Sequence, residues 1–190
     1  MKTSNRNKEL TTMDSQKTIK QFIQPNIIPG VIMLLIPPFF TVIGLLVLLC
    51  AVLPTNKRMK KNLAKLESLG KLDQAAAELT SSDAKHYVNG KLILTPHFIF
   101  CKRNGMVFTY DEIVWAYRHR FTQRCFFIPI KVTDSLYLAT KDIKPTGVAS
   151  MGKDKTEQIR NAILEIHARN AHCMIGYSNE NVAAYKKINK

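Results

Sequence analysis

The stretch KLILTPHFIFCKRNGMVFTYDEIVWAYRHRF, residues 91–121, decides the fold. Lys91-Leu-Ile-Leu-Thr95 and His97-Phe-Ile-Phe-Cys101 are short β-type runs divided by Pro96. Arg103-Asn104-Gly105 is a hairpin-turn signal, because Asn-Gly tolerates the left-handed backbone that a tight turn needs, and Met106 to Tyr110 can pair back. Successive side chains of a strand point to opposite faces. Ile113, Trp115, Tyr117, His119 and Phe121 therefore share one face, with Val114, Ala116, Arg118, Arg120 and Thr122 on the other.

Downstream, Cys125 to Ile130 and Ser135 to Thr140 read as two more strands, and Lys144 to Met151 as a last one. The period then changes. Asp154 and Glu157 have capping-box spacing, and Ile159, Ala162, Ile163 and Ile166 follow at helical intervals. After Asn170, the apolar piece Cys173 to Ile175 leads through Gly176 to a short helix with Val182, Tyr185 and Ile188. Six or seven antiparallel strands followed by an amphipathic helix predict an α+β domain, a curved sheet or partly open barrel over residues 85–170, with a C-terminal extension over 171–190.

Upstream lies a different kind of sequence. From Ile28 to Leu53 no residue is charged, and as a helix the run would exceed the ~30 Å hydrocarbon core of a bilayer. Residues 27–54 are therefore predicted to be a membrane segment. Pro37 and Pro38 remove two backbone donors near its middle, which leaves a kinked single span or a re-entrant hairpin. Residues 1–24 are polar, without a sustained apolar period, and read as a disordered tail. Over 56–82, Met59, Leu63 and Leu66, then Leu72, Ala75, Ala76 and Leu79, predict juxtamembrane helices interrupted at Gly70. Lys57, Arg58, Lys60, Lys61 and Lys65 outweigh Lys17 and Lys20 on the other flank, which puts the C-terminal domain on the cytoplasmic side of the cell membrane.

The chain carries 28 Lys and Arg against 14 Asp and Glu, a net charge of +14, so its partners should be anionic. Next to a bilayer, anionic phospholipid headgroups come first, a membrane-protein partner second, and nucleic acid is not expected. Cys50, Cys101, Cys125 and Cys173 form no closely spaced pair, and His167, His172 and Cys173 supply no tetrahedral set. No phosphate-binding, dinucleotide, nucleophile-elbow or metalloprotease motif occurs, so the sequence predicts no cofactor and no enzyme.

The segments Leu92-Ile-Leu-Thr95, Phe98-Ile-Phe100 and Tyr110-Asp111-Glu112-Ile113-Val114-Trp115-Ala116-Tyr117 resemble a bacterial family of small membrane-anchored proteins of unknown function. Ile175-Gly176-Tyr177-Ser178-Asn179-Glu180-Asn181 is similar to that family's close. The resemblance implies a pleckstrin-homology-like (PH-like) seven-stranded barrel with a C-terminal helix, and no chemistry.

Arg118, Arg120 and Arg124, with His119 and Lys131 nearby, are the candidate binding residues of the domain, since guanidinium forks pair bidentately with phosphate oxygens. Lys57, Arg58, Lys60 and Lys61 are their counterparts beside the membrane segment. Trp115, Tyr110 and Tyr117 suit a core cluster under the C-terminal helix better than a ligand wall. Together these features predict a membrane-tethered adaptor or scaffold that binds anionic lipid or a protein. The alternative is an accessory subunit of a membrane enzyme or transporter.

Overall fold

Two compact units make up the chain: residues 1–83 with 101–107, and residues 84–100 with 108–190. The computed structural model describes residues 2–23, 56–152 and 156–188. The uncharged segment Ile28 to Leu53, with its Pro37-Pro38 break, lies outside the described residues. Among the described residues no helix is long and apolar enough to cross a membrane.

The first unit is helical. Its helices are α1 (Lys2–Phe22), α2 (56–68) and α3 (Leu72–Thr80). α1 corrects the expectation of a disordered tail. Ser15, Ile19 and Ile23 form a buried stripe at four-residue spacing, and α1 packs on α3. That stripe is short and opens on a polar residue. The Ser15 hydroxyl donates to the Asp73 carboxylate of α3 at 2.7 Å, so a search for apolar periodicity passes over it. α2 buries Met59, Leu63 and Leu66 as expected, each such side chain contributing about 1.5–3 kcal/mol when fully withdrawn from water. It ends where Gly70 takes φ +64°, with the Gly70 amide donating to the Glu67 carbonyl and the Lys71 amide to the Leu66 carbonyl. That is a Schellman ending, and it turns the chain directly into α3.

The second unit is α+β. Strands β1 (Lys85–Tyr87), β2 (Leu92–Leu94), β3 (Phe98–Cys101) and β4 (Met106–Thr109) form one sheet in that order. The turn between β3 and β4, residues 101–107 being grouped with the first unit, closes at Gly105 with φ +63°, as the Asn-Gly signal requires. β5 (Trp115–Cys125), β6 (Ile128–Ala139), β7 (Thr146–Gly152) and β8 (Met174–Ile175) form the other, in the order β7-β6-β5-β8. β8 runs parallel to β5, and the other pairs of this sheet are antiparallel. The sheets remain separate, so the described residues form no closed barrel.

Helix α4 (Thr156–Arg169) packs on β1, β5, β6 and β8 through Ile159, Ala162 and Ile166, all fully buried. The expected cap Asp154 lies outside the described residues. Asn170 then stitches the helix end to the entry of β5. Its amide donates to the carbonyls of Tyr110 at 2.7 Å and Ile113 at 2.9 Å. The last helix, α5 (Asn179–Ile188), sets Tyr185 into a cluster with Trp115, Tyr117 and Ala139. Trp115 and Tyr117 are thus core under the C-terminal helix. Tyr110 belongs elsewhere: its hydroxyl donates to the Thr95 carbonyl, and the Arg169 guanidinium lies over its ring.

Gly70 meets nothing within 4 Å of where a Cβ would sit, so only its backbone resists substitution. Gly70→Ala should therefore destabilise the first unit by about 1 kcal/mol through the left-handed conformation alone, read as a lower denaturant midpoint at an unchanged slope.

Candidate functional site

The sequence predicts separate strands over Cys125 to Ile130 and Ser135 to Thr140. The structure has instead one long strand, β6, that pairs with β5 from Ala139 back to Ile128. The two form a hairpin whose inner and outer halves differ. Trp115, Ala116 and Tyr117 are buried, whereas from Arg118 onward β5 is almost wholly exposed. β7 covers the outer edge of β6 only as far as Thr133, and β8 covers β5 only at Trp115 and Ala116. Beyond Thr133 the hairpin is, among the described residues, a two-stranded ribbon with both edges open. At ~3.3 Å per residue, the exposed arm from Arg118 to its tip runs about 25 Å.

Its turn consists of two residues, Phe126 and Phe127, with φ of 45° and 71°. Positive φ at both positions is the signature of a type I′ turn, which strongly favours Asn-Gly there; bulky side chains in this region are strained. The rings are 90% and 94% exposed, and Ile128 and Ile130 beside them are also exposed. The register shifts between Gln123 and Arg124, leaving Ile130 without a cross-strand partner. No sequence pattern considered above singles out this tip. The usable signal is Pro129, which is at home near a strand end and foreign to a central strand, amid an apolar run bounded by Arg124 and Lys131.

The three candidate arginines of β5 do not act alike. Arg120 sits opposite Asp134 on β6 and grips it with Nε at 2.9 Å and a second nitrogen at 3.1 Å. Asp134 is completely buried and also accepts a 2.5 Å hydrogen bond from Thr156 Oγ1. The guanidinium hydrogen bond holds the Asp134 carboxyl below the usual carboxylate range against the opposing pull of burial, with smaller help from Thr156 and Arg118. Arg120 is therefore committed to the fold. Arg118 and Arg124 are exposed at alternate positions of the same strand, and Lys131 is exposed on the facing one. His119 packs its ring against Tyr137. In the first unit, Lys57, Arg58, Lys60 and Lys61 line the exposed side of α2.

Other polar groups are structural. Glu165 is held below its ordinary range first by the Lys85 ammonium and then by Arg169, which also donates to the Thr95 carbonyl. His167 Nδ1 lies 3.1 Å from the Cys173 carbonyl oxygen. Burial pushes the Cys173 thiol up to about 11 and raises Cys101 further, leaving both far from thiolate at neutral pH. Cys125, at the hairpin tip, is exposed.

The class of protein so defined is an α+β module with a projecting, basic-flanked, apolar-tipped hairpin. Residues 56–185 match a domain of unknown function (DUF6709), and the chain belongs to that family. No curated protein and no solved structure matches it.

The exposure of the thiols sets their order of reaction. With Cys50 replaced by Ala, a thiol reagent at neutral pH should label Cys125 promptly in the native protein, and Cys101 and Cys173 only on unfolding, read by mass spectrometry of peptides. Asp134 binds its proton more weakly folded than unfolded. Its stabilisation is therefore complete above the ordinary carboxylate pKa of about 4 and is lost as pH falls through the depressed value. Asp134→Asn should lower Tm at pH 7, and its deficit against wild type should shrink on acidification.

Proposed function

We propose that this protein is a non-enzymatic, membrane-tethered adaptor or scaffold that offers the β5–β6 hairpin to an anionic partner at the cytosolic leaflet. The observation that carries the reading is the hairpin itself. Nothing in its module's core requires two strands to run on beyond their neighbours, and the extension ends in residues that folding alone disfavours. The uncharged run Ile28 to Leu53 supports a tether in the bilayer, and the basic face of α2 directly after it supports a cytosolic position for the C-terminal domain. Each exposed cation close to an anionic surface contributes about 1 kcal/mol to such attachment.

The second unit is read as a divergent PH-like module. Support comes from its order of elements: antiparallel strands β1 to β7 in two sheets, then helix α4, as the family resemblance implies. The reading as an accessory subunit of a membrane enzyme or transporter rests on the same apolar segment and has no feature of the hairpin in its favour.

Full-length protein should sediment with membranes and resist extraction by alkaline carbonate. Recovery in the soluble fraction would remove the tether. Gentle detergent extraction followed by mass spectrometry separates the two readings: a stoichiometric membrane partner identifies a subunit, and its lack supports the adaptor.

A further inference from the structure

We propose that the tip of the β5–β6 hairpin inserts directly into the acyl region of an anionic bilayer, with Phe126 and Phe127 as the wedge. The inference deepens the function proposed above and rests on it for the nearness of a membrane.

The tip is convex and narrow. A protein partner of ordinary stability needs about 800 Å² of matching surface on each side, which the end of a two-stranded ribbon does not present. A fluid bilayer needs no matching shape. The chemistry along the ribbon is also graded as a leaflet is. Phe126, Phe127 and Ile128 occupy the apex, fully or largely exposed. Arg124 stands one pair behind the Cys125–Ile128 pair that closes the turn and Lys131, opposite Gln123, two pairs behind it, while Arg118 lies further along. Depth order from the tip is thus apolar and then cationic, matching acyl chains and then lipid phosphates. No acidic residue occurs between Glu112 and Asp134, and Asp134 is neutralised by Arg120, so nothing on the arm repels an anionic surface.

The turn supplies independent support. Asn-Gly at positions 126 and 127 would relieve the backbone, yet two phenylalanines occupy them at φ 45° and 71°. Strain held at an exposed site, where packing gains nothing from it, points to a use for those side chains. A phenylalanine pair withdrawn from water by lipid provides that use. The Phe121 ring, 58% exposed and higher on the arm, extends the apolar surface toward the headgroup level.

The test uses full-length protein with Cys50→Ala, carrying an environment-sensitive fluorophore on Cys125. It is mixed with vesicles of phosphatidylcholine containing phosphatidylglycerol, or of phosphatidylcholine alone. Insertion predicts a blue shift on the anionic vesicles, quenching by lipids brominated on their acyl chains, and a smaller shift on the neutral ones. In Phe126→Asn/Phe127→Gly the shift should be lost while the protein still floats with the vesicles. Because that pair suits the turn, its Tm should equal or exceed wild type, so the loss cannot be ascribed to unfolding.

Unshifted emission from protein that floats would overturn insertion and leave the tether standing. Shifted emission from protein held at the vesicles by the tip alone, and extractable by carbonate, would do the opposite. Unshifted emission from protein that does not float would remove both. A shift that appears without lipid and grows with protein concentration would mean that the tips pair between copies, and would overturn the proposal. Equal shifts on both vesicle types would overturn the role given to Arg124 and Lys131.

Discussion

The second unit depends on how the first three residues of β5 are held. Trp115, Ala116 and Tyr117 are buried on both faces of the strand, and their surroundings arrive from far along the chain. The Trp115 indole donates to the Gly176 carbonyl at 2.8 Å, and the Met174 and Gly176 amides donate to the Val114 and Ala116 carbonyls. Tyr185 of α5 closes over the cluster, its hydroxyl shared between the carbonyls of Thr140 and Ile143 at 3.2 Å each. Polar tips of large rings thus find partners while the rings stay dry, the condition on which aromatic burial is favourable. With one end fixed so firmly, β5 and β6 can extend past every other strand and remain a single ordered ribbon. A free two-stranded hairpin would be marginal in water.

The ion pair between Arg120 and Asp134 is placed at the boundary of the two regimes. Inward of it β6 is packed, with Leu136, Leu138 and Ala139 buried; outward both strands are largely solvated. A wholly buried carboxylate would ordinarily be costly, and here it is matched by a bidentate guanidinium and a hydroxyl from the first residue of α4. The pair ties the hairpin to the helix that covers the sheet. It also explains why a row of arginines on one strand is not a uniform anion site: the middle one is already satisfied.

Much of this is legible in the residues. Short apolar runs rich in β-branched and aromatic residues place β2, β3, β4 and the start of β5, which are buried on both faces and bounded by breaks such as Pro96 and Gly105. The Ile159, Ala162 and Ile166 stripe marks α4, and Gly176 marks the approach to α5. Three things escape. α1 is hidden because its buried stripe uses Ser15, whose partner Asp73 lies on another helix. β1 is hidden because its residues are mostly exposed, and although Asn89-Gly90 suits a left-handed turn, Val88 before it takes the same conformation with a β-branched side chain that does not advertise it. The hairpin tip is hidden because Phe126 and Phe127 are the reverse of a turn signal. Local propensity predicts a continuing strand there, and the long-range pairing that leaves Cys125 opposite Ile128 overrides it. The row of arginines is readable as a face, but not its division between structure and surface, since that depends on Asp134 across the strand pair.

The covering of β5 by β8 and α5 has a consequence during synthesis. The elements that shelter Trp115 and close the open edge of β5 are the last described part of the module to leave the ribosome. Until residues 174–188 emerge, β5 shows an unpaired backbone edge beside exposed aromatic rings, the surface on which unfinished chains associate wrongly. A premature stop shortly before Met174 would leave every other strand in place, yet yield a polypeptide whose fate is aggregation or degradation and not a slightly shorter working domain.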